Sequence, residues 1–168
     1  MLVPLGVAPD TVFEIAKLSK TSFPVESEWI ALADPLQPPI EAYNWERMQF
    51  DAIALNRYIG RVFREFIQEG VRVIGVVAAD GYIDGMNYVF GLASRDFGVA
   101  SVYVKRLESS DRNLYFERVV KEVLHESGHL AGLPHCSNPK CVMSFSNSVR
   151  EVDYKAAWFC ESCRLRIR

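Results

Sequence analysis

The stretch HESGHLAGLPH at residues 125–135 constrains this chain more than any other feature, because it holds all three of the chain's histidines. His125 and His129 are four positions apart, so on a helix their rings project from one face, one turn apart. That separation suits two nitrogen ligands at about 2.0–2.1 Å from a single zinc ion. We therefore expect a helix here that carries a metal site.

The residues around this pair predict a catalytic zinc site. Gly132 allows the chain to leave the helix with a positive φ and to bring back His135 as a third ligand. Three nitrogen ligands leave one coordination position open for water. Glu126, beside His125, can reach that water and act as general base. A HExxH stretch by itself also arises by chance. A chance match on a surface helix would not explain why Gly132 and His135 follow at this spacing.

Four cysteines in the last third of the chain form two close pairs, C-x4-C and C-x2-C. They are Cys136, Cys141, Cys160 and Cys163. This pattern favours a structural zinc site with four thiolate ligands; the alternatives are two disulfides or four unrelated buried thiols. Since neighbouring side chains of an extended segment point to opposite sides, His135 and Cys136 would face different metals. The second zinc would then act as a clamp on the position of His135.

Composition excludes several other classes of protein. The chain has 168 residues, enough for one domain, and is 49% hydrophobic and 24% charged, as is usual for a globular protein. A net charge of -2 gives no reason to expect nucleic acid or an anionic membrane as partner. No apolar run approaches the roughly 18 residues of a membrane span, and the N-terminus lacks a basic leader. We expect a cytoplasmic protein, a reducing setting in which disulfides are disfavoured.

Alternating strand and helix patterns predict an α/β (α+β) fold, a mixed sheet with helices in one domain over residues 1–168. Residues 1–131 hold the sheet and the zinc helix, and residues 132–168 form a cysteine-bearing tail. The expected strands are residues 2–7, 24–33, 71–79, 87–93 and 98–107, the last two as a hairpin. Four helices are expected: one that begins at Asp10 or Thr11, one over residues 45–66, one over residues 111–131 and one that begins at Ser148.

The segments HESGHLAGLPHC, CVM and CESC, within residues 125–163, resemble those of the archaemetzincins, a branch of the metzincin metallopeptidases. The resemblance implies a twisted mixed sheet, two zinc ions per chain, the three histidines as catalytic ligands and Glu126 as general base. It implies the four cysteines as ligands of the second zinc. It also makes Met143 the methionine of the Met-turn, a hydrophobic floor under the catalytic metal. Phe145 stands where some metzincins have a tyrosine ligand.

The expected reaction is hydrolysis of a peptide or protein substrate. We expect that substrate to lie along an edge strand just before the zinc helix, since an edge strand can pair with an extended peptide. The residues concerned are Gly98, Val99, Ala100, Ser101, Val102 and Tyr103. The alternative for this strand is a plain sheet edge protected by Lys105 and Arg106.

Three features of the reaction stay open at the level of sequence. Tyr154 and Asn147 are both candidates for stabilising the oxyanion, and spacing favours neither. The same zinc chemistry would serve an aminopeptidase or an amidase that acts only on very short peptides. A zinc-dependent binding protein with little turnover is a further alternative, although it would have no use for Glu126 beside the metal.

Overall fold

A computed structural model describes residues 1–167. The strands are β1 (Leu2–Leu5), β2 (Tyr43–Asn44), β3 (Gln49–Asp51), β4 (Val73–Val77), β5 (Asp80–Tyr82), β6 (Gly91–Ser94) and β7 (Val99–Tyr103). The helices are α1 (Pro9–Ser22), α2 (Ala52–Val62), α3 (Arg64–Gln68), α4 (Arg112–Leu130), α5 (Val149–Tyr154) and α6 (Glu161–Arg164). The main sheet has the strand order β1-β4-β7-β6, and β2, β3 and β5 form a smaller sheet.

The main sheet is mixed and has a hydrophobic core on each face. β1, β4 and β7 are parallel, whereas β6 pairs antiparallel with β7. Alternate residues of β4 point to opposite faces: Ile74 and Val76 join the core with α1 and α4, while Val73 and Val77 join the core with α2. The first of these cores extends as far as Ile167. Among residues 1–167, no helix combines the length and apolar character that crossing a bilayer requires.

The segment 45–51 differs from the prediction of one helix over residues 45–66. It forms the β2–β3 hairpin, with Met48 at a φ of 55°, and α2 begins only at Ala52. The Asp51 side chain accepts hydrogen bonds from the backbone N–H groups of Ile53 and Ala54 and caps α2. The Asn44 carboxamide caps the hairpin turn instead, accepting from the backbone of the turn. Asn44 and Asp51 are both suitable N-cap residues for a helix with this apolar pattern. The helix begins after Asp51, the later of the two.

The prediction that residues 98–103 form an edge strand is wrong. β7, which occupies this stretch, pairs with β4 on one side and with β6 on the other. All five of its residues, Val99, Ala100, Ser101, Val102 and Tyr103, are buried, as expected for a central strand. A peptide cannot add to a strand whose two edges are already paired. Of the two outer strands of the main sheet, β1 already exchanges backbone hydrogen bonds with Ile30, Leu32 and Leu36, so within residues 1–167 the free edge is that of β6. The prediction of a strand over residues 24–33 is also wrong: only Ala31 forms an isolated bridge, with Leu2.

Candidate active site

The three histidine rings converge at the C-terminal end of α4. His125 and His129 lie on one face of the helix, with their Nε2 atoms 3.1 Å apart. The ring centre of His135 is 5.3 Å from that of His125 and 4.8 Å from that of His129. One nitrogen of each ring lies within 4.8 Å of the others. Tetrahedral zinc with nitrogens at about 2.0–2.1 Å separates them by about 3.3 Å, so this donor set fits the ion.

Backbone carbonyls orient the two helical histidines. His125 Nδ1 donates to the carbonyl oxygen of Val142 at 2.8 Å, and His129 Nδ1 donates to that of Leu133 at the same distance. These bonds fix the tautomer that leaves each Nε2 available as a ligand. Burial lowers the pKa of His125 well below its usual range, and it also lowers the pKa of His129 and His135. All three imidazoles are therefore neutral near pH 7, the form that binds a metal.

Glu126 is buried beside these ligands, and its Oε2 atom has no hydrogen-bond partner within residues 1–167. Burial raises the pKa of Glu126 well above its usual range; the negative charge of Glu122 adds to this rise and the positive charge of Lys155 opposes it. Glu122, one turn earlier on α4, forms a buried ion pair with Lys155, whose Nζ lies 2.9 Å from Glu122 Oε1. The unpartnered oxygen of Glu126 is thus available to a polar group in the cleft.

The segment after α4 turns back beneath the histidines. Gly132 has a φ of 92°, the left-handed conformation that allows this reversal. The Cys136 N–H then donates to the carbonyl oxygen of Met143 at 2.9 Å. Met143 is fully buried, and its thioether packs so closely on Gly128 that any side chain at Gly128 would overlap it. Met143 therefore lies under the helical turn between the two helical histidines.

The four cysteine sulfurs form a second cluster, separate from the histidine group. Cys136 Sγ lies 3.7 Å from Cys160 Sγ, and Cys141 Sγ lies 3.8 Å from Cys163 Sγ. All four sulfurs lie within 4.8 Å of one another, and no disulfide joins them. Tetrahedral zinc with sulfurs at about 2.3 Å separates them by about 3.8 Å. The cluster therefore fits the ion, and in this structure the four sulfurs are grouped together without disulfide bonds.

A cleft of about 690 Å³ opens onto the histidines. Residues of the segment 83–95, which includes β6, line one wall, and Phe145, Ser146 and Asn147 contribute to the other. Glu122, Glu126 and Lys155 lie along its floor. Gly91 of β6 passes so close to Glu126 that any side chain at Gly91 would overlap the carboxylate. The free edge of the sheet therefore runs directly past the general-base candidate.

The structure brings together most, but not all, of the residues that the sequence singled out. Of the two oxyanion candidates, Asn147 lines the cleft, and its backbone oxygen accepts a 2.5 Å bond from the Tyr88 hydroxyl. Tyr154 does not line the cleft, and its exposed ring packs under Lys140 instead. Residues 98–103 are absent from the cleft walls.

Sequence reasoning missed six polar residues of the cleft: Asn87, Tyr88, Arg95, Glu122, Ser146 and Lys155. Glu122 carried a signal, since it precedes Glu126 by one helical turn and so shares its face. The others come from the segment 83–95 and from the chain after the third histidine, and only folding brings these two parts beside α4.

Comparison with known proteins places the chain in a family. Residues 34–168 match the profile of Peptidase family M54. An archaemetzincin from Aeropyrum pernix is 55% identical over 167 residues, which cover 99% of this chain and 91% of that protein. Another from Sulfolobus acidocaldarius is 43% identical over 129 residues, covering 73% of this chain and 71% of the relative.

Solved structures agree with this assignment. The archaemetzincin of Archaeoglobus fulgidus, solved with malonate, superposes with a TM-score of 0.83 at 37% identity, over 99% of this chain and 98% of that one. A zinc-dependent peptidase from Methanocorpusculum labreanum superposes with a TM-score of 0.88 at 26% identity, over the same shares of the two chains. Together with the histidine and cysteine groups, these similarities show that the chain belongs to the archaemetzincins, peptidase family M54, and is a zinc metallopeptidase.

Proposed function

We propose that the chain cleaves extended peptides at the three-histidine site, with His125, His129 and His135 as ligands of the catalytic zinc. The observation that carries this proposal is the convergence of three neutral imidazoles beside the unpartnered Oε2 of Glu126 at the floor of one cleft. When bound there, zinc supplies Lewis-acid chemistry: it polarises the scissile carbonyl and makes water more acidic.

Glu126 is proposed as the general base and then the general acid. Its Oε2 atom accepts a proton from the attacking water and later passes that proton to the nitrogen of the leaving amine. The raised pKa that burial gives to Glu126 supports the second half of this role, because the carboxyl group holds the proton between the two steps. Met143, packed against Gly128, is proposed to support the helical turn that bears the first two ligands.

β6 is proposed as the strand with which the peptide pairs. No strand among residues 1–167 pairs with its outer edge, and Gly91 brings its backbone against Glu126. The cleft extends from Ile83 on one side of Gly91 to Arg95 on the other. A cleft that continues past the general base in both directions favours a peptide bound across the scissile bond over a dipeptide or a small amide.

The four cysteines are proposed to hold a structural zinc that fixes the third histidine ligand. Cys136 follows His135 directly, and its N–H donates to the backbone of Met143. A metal that holds Cys136 therefore limits the movement of His135 on the opposite side of the same segment. In this proposal, residues 132–168 form one catalytic domain with residues 1–131, which include the zinc helix.

Glu126→Gln tests the peptidase role. The substitution keeps the shape of the side chain and removes its ability to take a proton, so kcat/KM should fall by about 10²- to 10⁴-fold. Cleavage of a mixed peptide library should be followed by mass spectrometry, with the zinc content of each preparation measured by elemental analysis. Glu65→Gln, an exposed glutamate of α3, is the matched control and should leave cleavage unchanged.

Two results would contradict the proposal. Glu126→Gln with two zinc ions bound and wild-type cleavage would remove Glu126 from the mechanism. Wild-type protein that binds two zinc ions and library peptides without cleaving any of them would favour the binding-protein alternative.

A further inference from the structure

Arg95 stands directly after β6, at the end of the cleft wall. Its side chain is exposed and makes no hydrogen bond or ion pair within residues 1–167, not even with the neighbouring Asp96. The guanidinium rests against the turn that leads to the third histidine: a methyl group at Gly132 would come within 3.1 Å of Arg95 Nη2. Arg95 therefore places an unpaired positive charge on the cleft wall beside the metal-binding segment.

Among the residues 1–167 that line the cleft, Arg95 is the one charged residue whose side chain is exposed. Glu122, Glu126 and Lys155 also line the cleft, but each is at most 3% exposed. Glu122 and Lys155 neutralise one another as an ion pair. Apart from the zinc ion proposed at the histidines, the preference of the cleft for the charge of a substrate side chain therefore rests on Arg95.

The direction of β6 determines which part of a bound peptide would meet Arg95. A strand added to the free edge of β6 pairs more favourably in the antiparallel sense, which is also the commoner arrangement. β6 runs from Gly91, against Glu126, to Ser94. An antiparallel peptide with its scissile bond at Glu126 sends its amino-terminal residues towards Ser94 and Arg95. Four strand residues span about 13 Å, so Arg95 lies beside residues two to four positions before the scissile bond.

We propose that Arg95 is a specificity-determining residue that selects an aspartate or glutamate two to four positions on the amino-terminal side of the cleaved bond. The inference rests on the proposed function of the cleft and on β6 as the pairing strand. A planar guanidinium offers paired N–H donors that match a carboxylate. Because Arg95 is exposed, the gain is that of a surface ion pair, about twofold to fivefold in kcat/KM, and salt should weaken it.

The test uses zinc-loaded full-length enzyme and one cleavable peptide sequence in which each position around the scissile bond carries, in turn, Glu, Gln or Lys. The ratio of kcat/KM for Glu over Gln isolates charge from size. For the wild type, this ratio should be about 2–5 at one of the positions P2 to P4, the second to fourth residues on the amino-terminal side of the cleaved bond. It should approach one in 1 M NaCl. In Arg95→Glu the ratio should fall below one, and Lys should become the preferred residue.

Arg61→Glu makes the same charge reversal on the exposed surface of α2 and is the matched control. It should keep the wild-type ratio. The same peptides should also be titrated into Glu126→Gln enzyme, where binding without cleavage reports the preference by itself. If no peptide is cleaved by the wild type but the binding preference follows Arg95, the proposed reaction fails and the role of Arg95 stands.

Four outcomes would overturn the inference. A wild-type ratio of one at P2 to P4, in both cleavage and binding, would remove the acidic preference. A ratio that persists in Arg95→Glu, or a fall in kcat/KM that is equal for all peptides, would leave Arg95 only its packing on Gly132. An acidic preference on the carboxyl-terminal side of the cleaved bond would refute the antiparallel direction.

Discussion

His135 and Cys136 are neighbours in the chain, but each belongs to a different metal-binding group. The histidine group has three neutral nitrogen donors and lines a cleft of about 690 Å³. The cysteine group has four sulfur donors, three of them buried, and lines no part of that cleft. Backbone N–H groups of Asn138 and Cys160 also point at its sulfurs, at 3.4 and 3.3 Å. One site is thus open for a reacting molecule and the other is closed.

The comparison shows how a closed site can serve an open one. A three-donor site depends on where its third ligand lies, and His135 comes from a loop rather than from α4. With zinc bound as proposed, the cysteine group would restrain the residue beside it, and the bond from Cys136 N–H to the Met143 carbonyl oxygen holds the same segment against residue 143. Loss of the closed site should therefore damage both stability and catalysis, whereas loss of the open site should damage catalysis alone.

The largest expected effect follows from removing one ligand from each group. Cys141→Ser and His129→Ala should each lower the zinc content from two ions per chain to one. Cys141→Ser should also lower the melting temperature by more than about 10 °C, because a structural zinc contributes several kcal/mol and about 1 kcal/mol corresponds to about 2–4 °C at this chain length. His129→Ala should abolish cleavage with a much smaller thermal shift.

Elemental analysis, thermal unfolding and peptide cleavage on the same preparations check this difference. A Cys141→Ser protein that keeps both zinc ions and the wild-type melting temperature would show that the cysteine group is not a metal site. Equal thermal losses in the two variants would show that the open and closed sites do not differ in structural role.

The buried pair of Glu122 and Lys155 gives the next largest effect. Lys155→Met leaves the Glu122 carboxylate buried without its partner at 2.9 Å, which should destabilise the fold by about 3–5 kcal/mol. Lys105→Met, which breaks the exposed pair with Glu108, is the control and should cost less than about 1 kcal/mol. Urea unfolding at a fixed excess of zinc measures both.

A double variant, Glu122→Gln with Lys155→Met, should recover part of the lost stability, since it removes the uncompensated charge. If the single and double variants are equally destabilised, the lost contribution of Lys155 is packing and its bond to the Ser144 carbonyl oxygen, not charge pairing.

The smallest effect concerns the ion pair that joins α4 to α5. Arg118 donates to Asp153 at 2.6 and 2.7 Å, and this bond lowers the pKa of Asp153 below its ordinary value of 3.8. A carboxyl group whose pKa is lower in the folded state adds stability above its unfolded pKa and loses it as the pH falls through the folded value. Asp153→Asn should therefore cost up to about 1 kcal/mol at pH 7, a modest loss because the carboxylate is partly exposed.

Urea unfolding of wild type and Asp153→Asn between pH 7 and pH 2 checks the sign. The difference between the two proteins should be constant down to about pH 4 and should shrink below it, as the wild-type carboxyl group takes up its proton. A difference that grows as the pH falls would contradict the lowered pKa.

Local signals in the sequence predicted the helices near the site with accuracy. α4 was expected over residues 111–131 and spans Arg112–Leu130, with the Asp111 side chain as its cap. α5 begins after Ser148, whose capping box with Glu151 is present. Such signals are reliable because both partners of each interaction lie within one turn of the chain. The prediction of a helix over residues 45–51 is wrong because the local pattern offers two N-cap residues, Asn44 and Asp51. Packing of the folded chain determines that the helix begins after the second.

What the sequence determined by itself is the candidate chemistry: three histidines, a glutamate and a glycine within one helix and one turn predict a catalytic zinc site, and two close pairs of cysteines predict a structural one. What only the tertiary structure decided is the surface that faces a substrate. β7 pairs with β4, whose residues lie 26 positions earlier in the chain, and with β6. Because of this pairing the free edge is at Gly91–Ser94 and not at residues 98–103. Strand order and the meeting of Arg95 with Gly132 depend on contacts between distant segments, which no local pattern encodes.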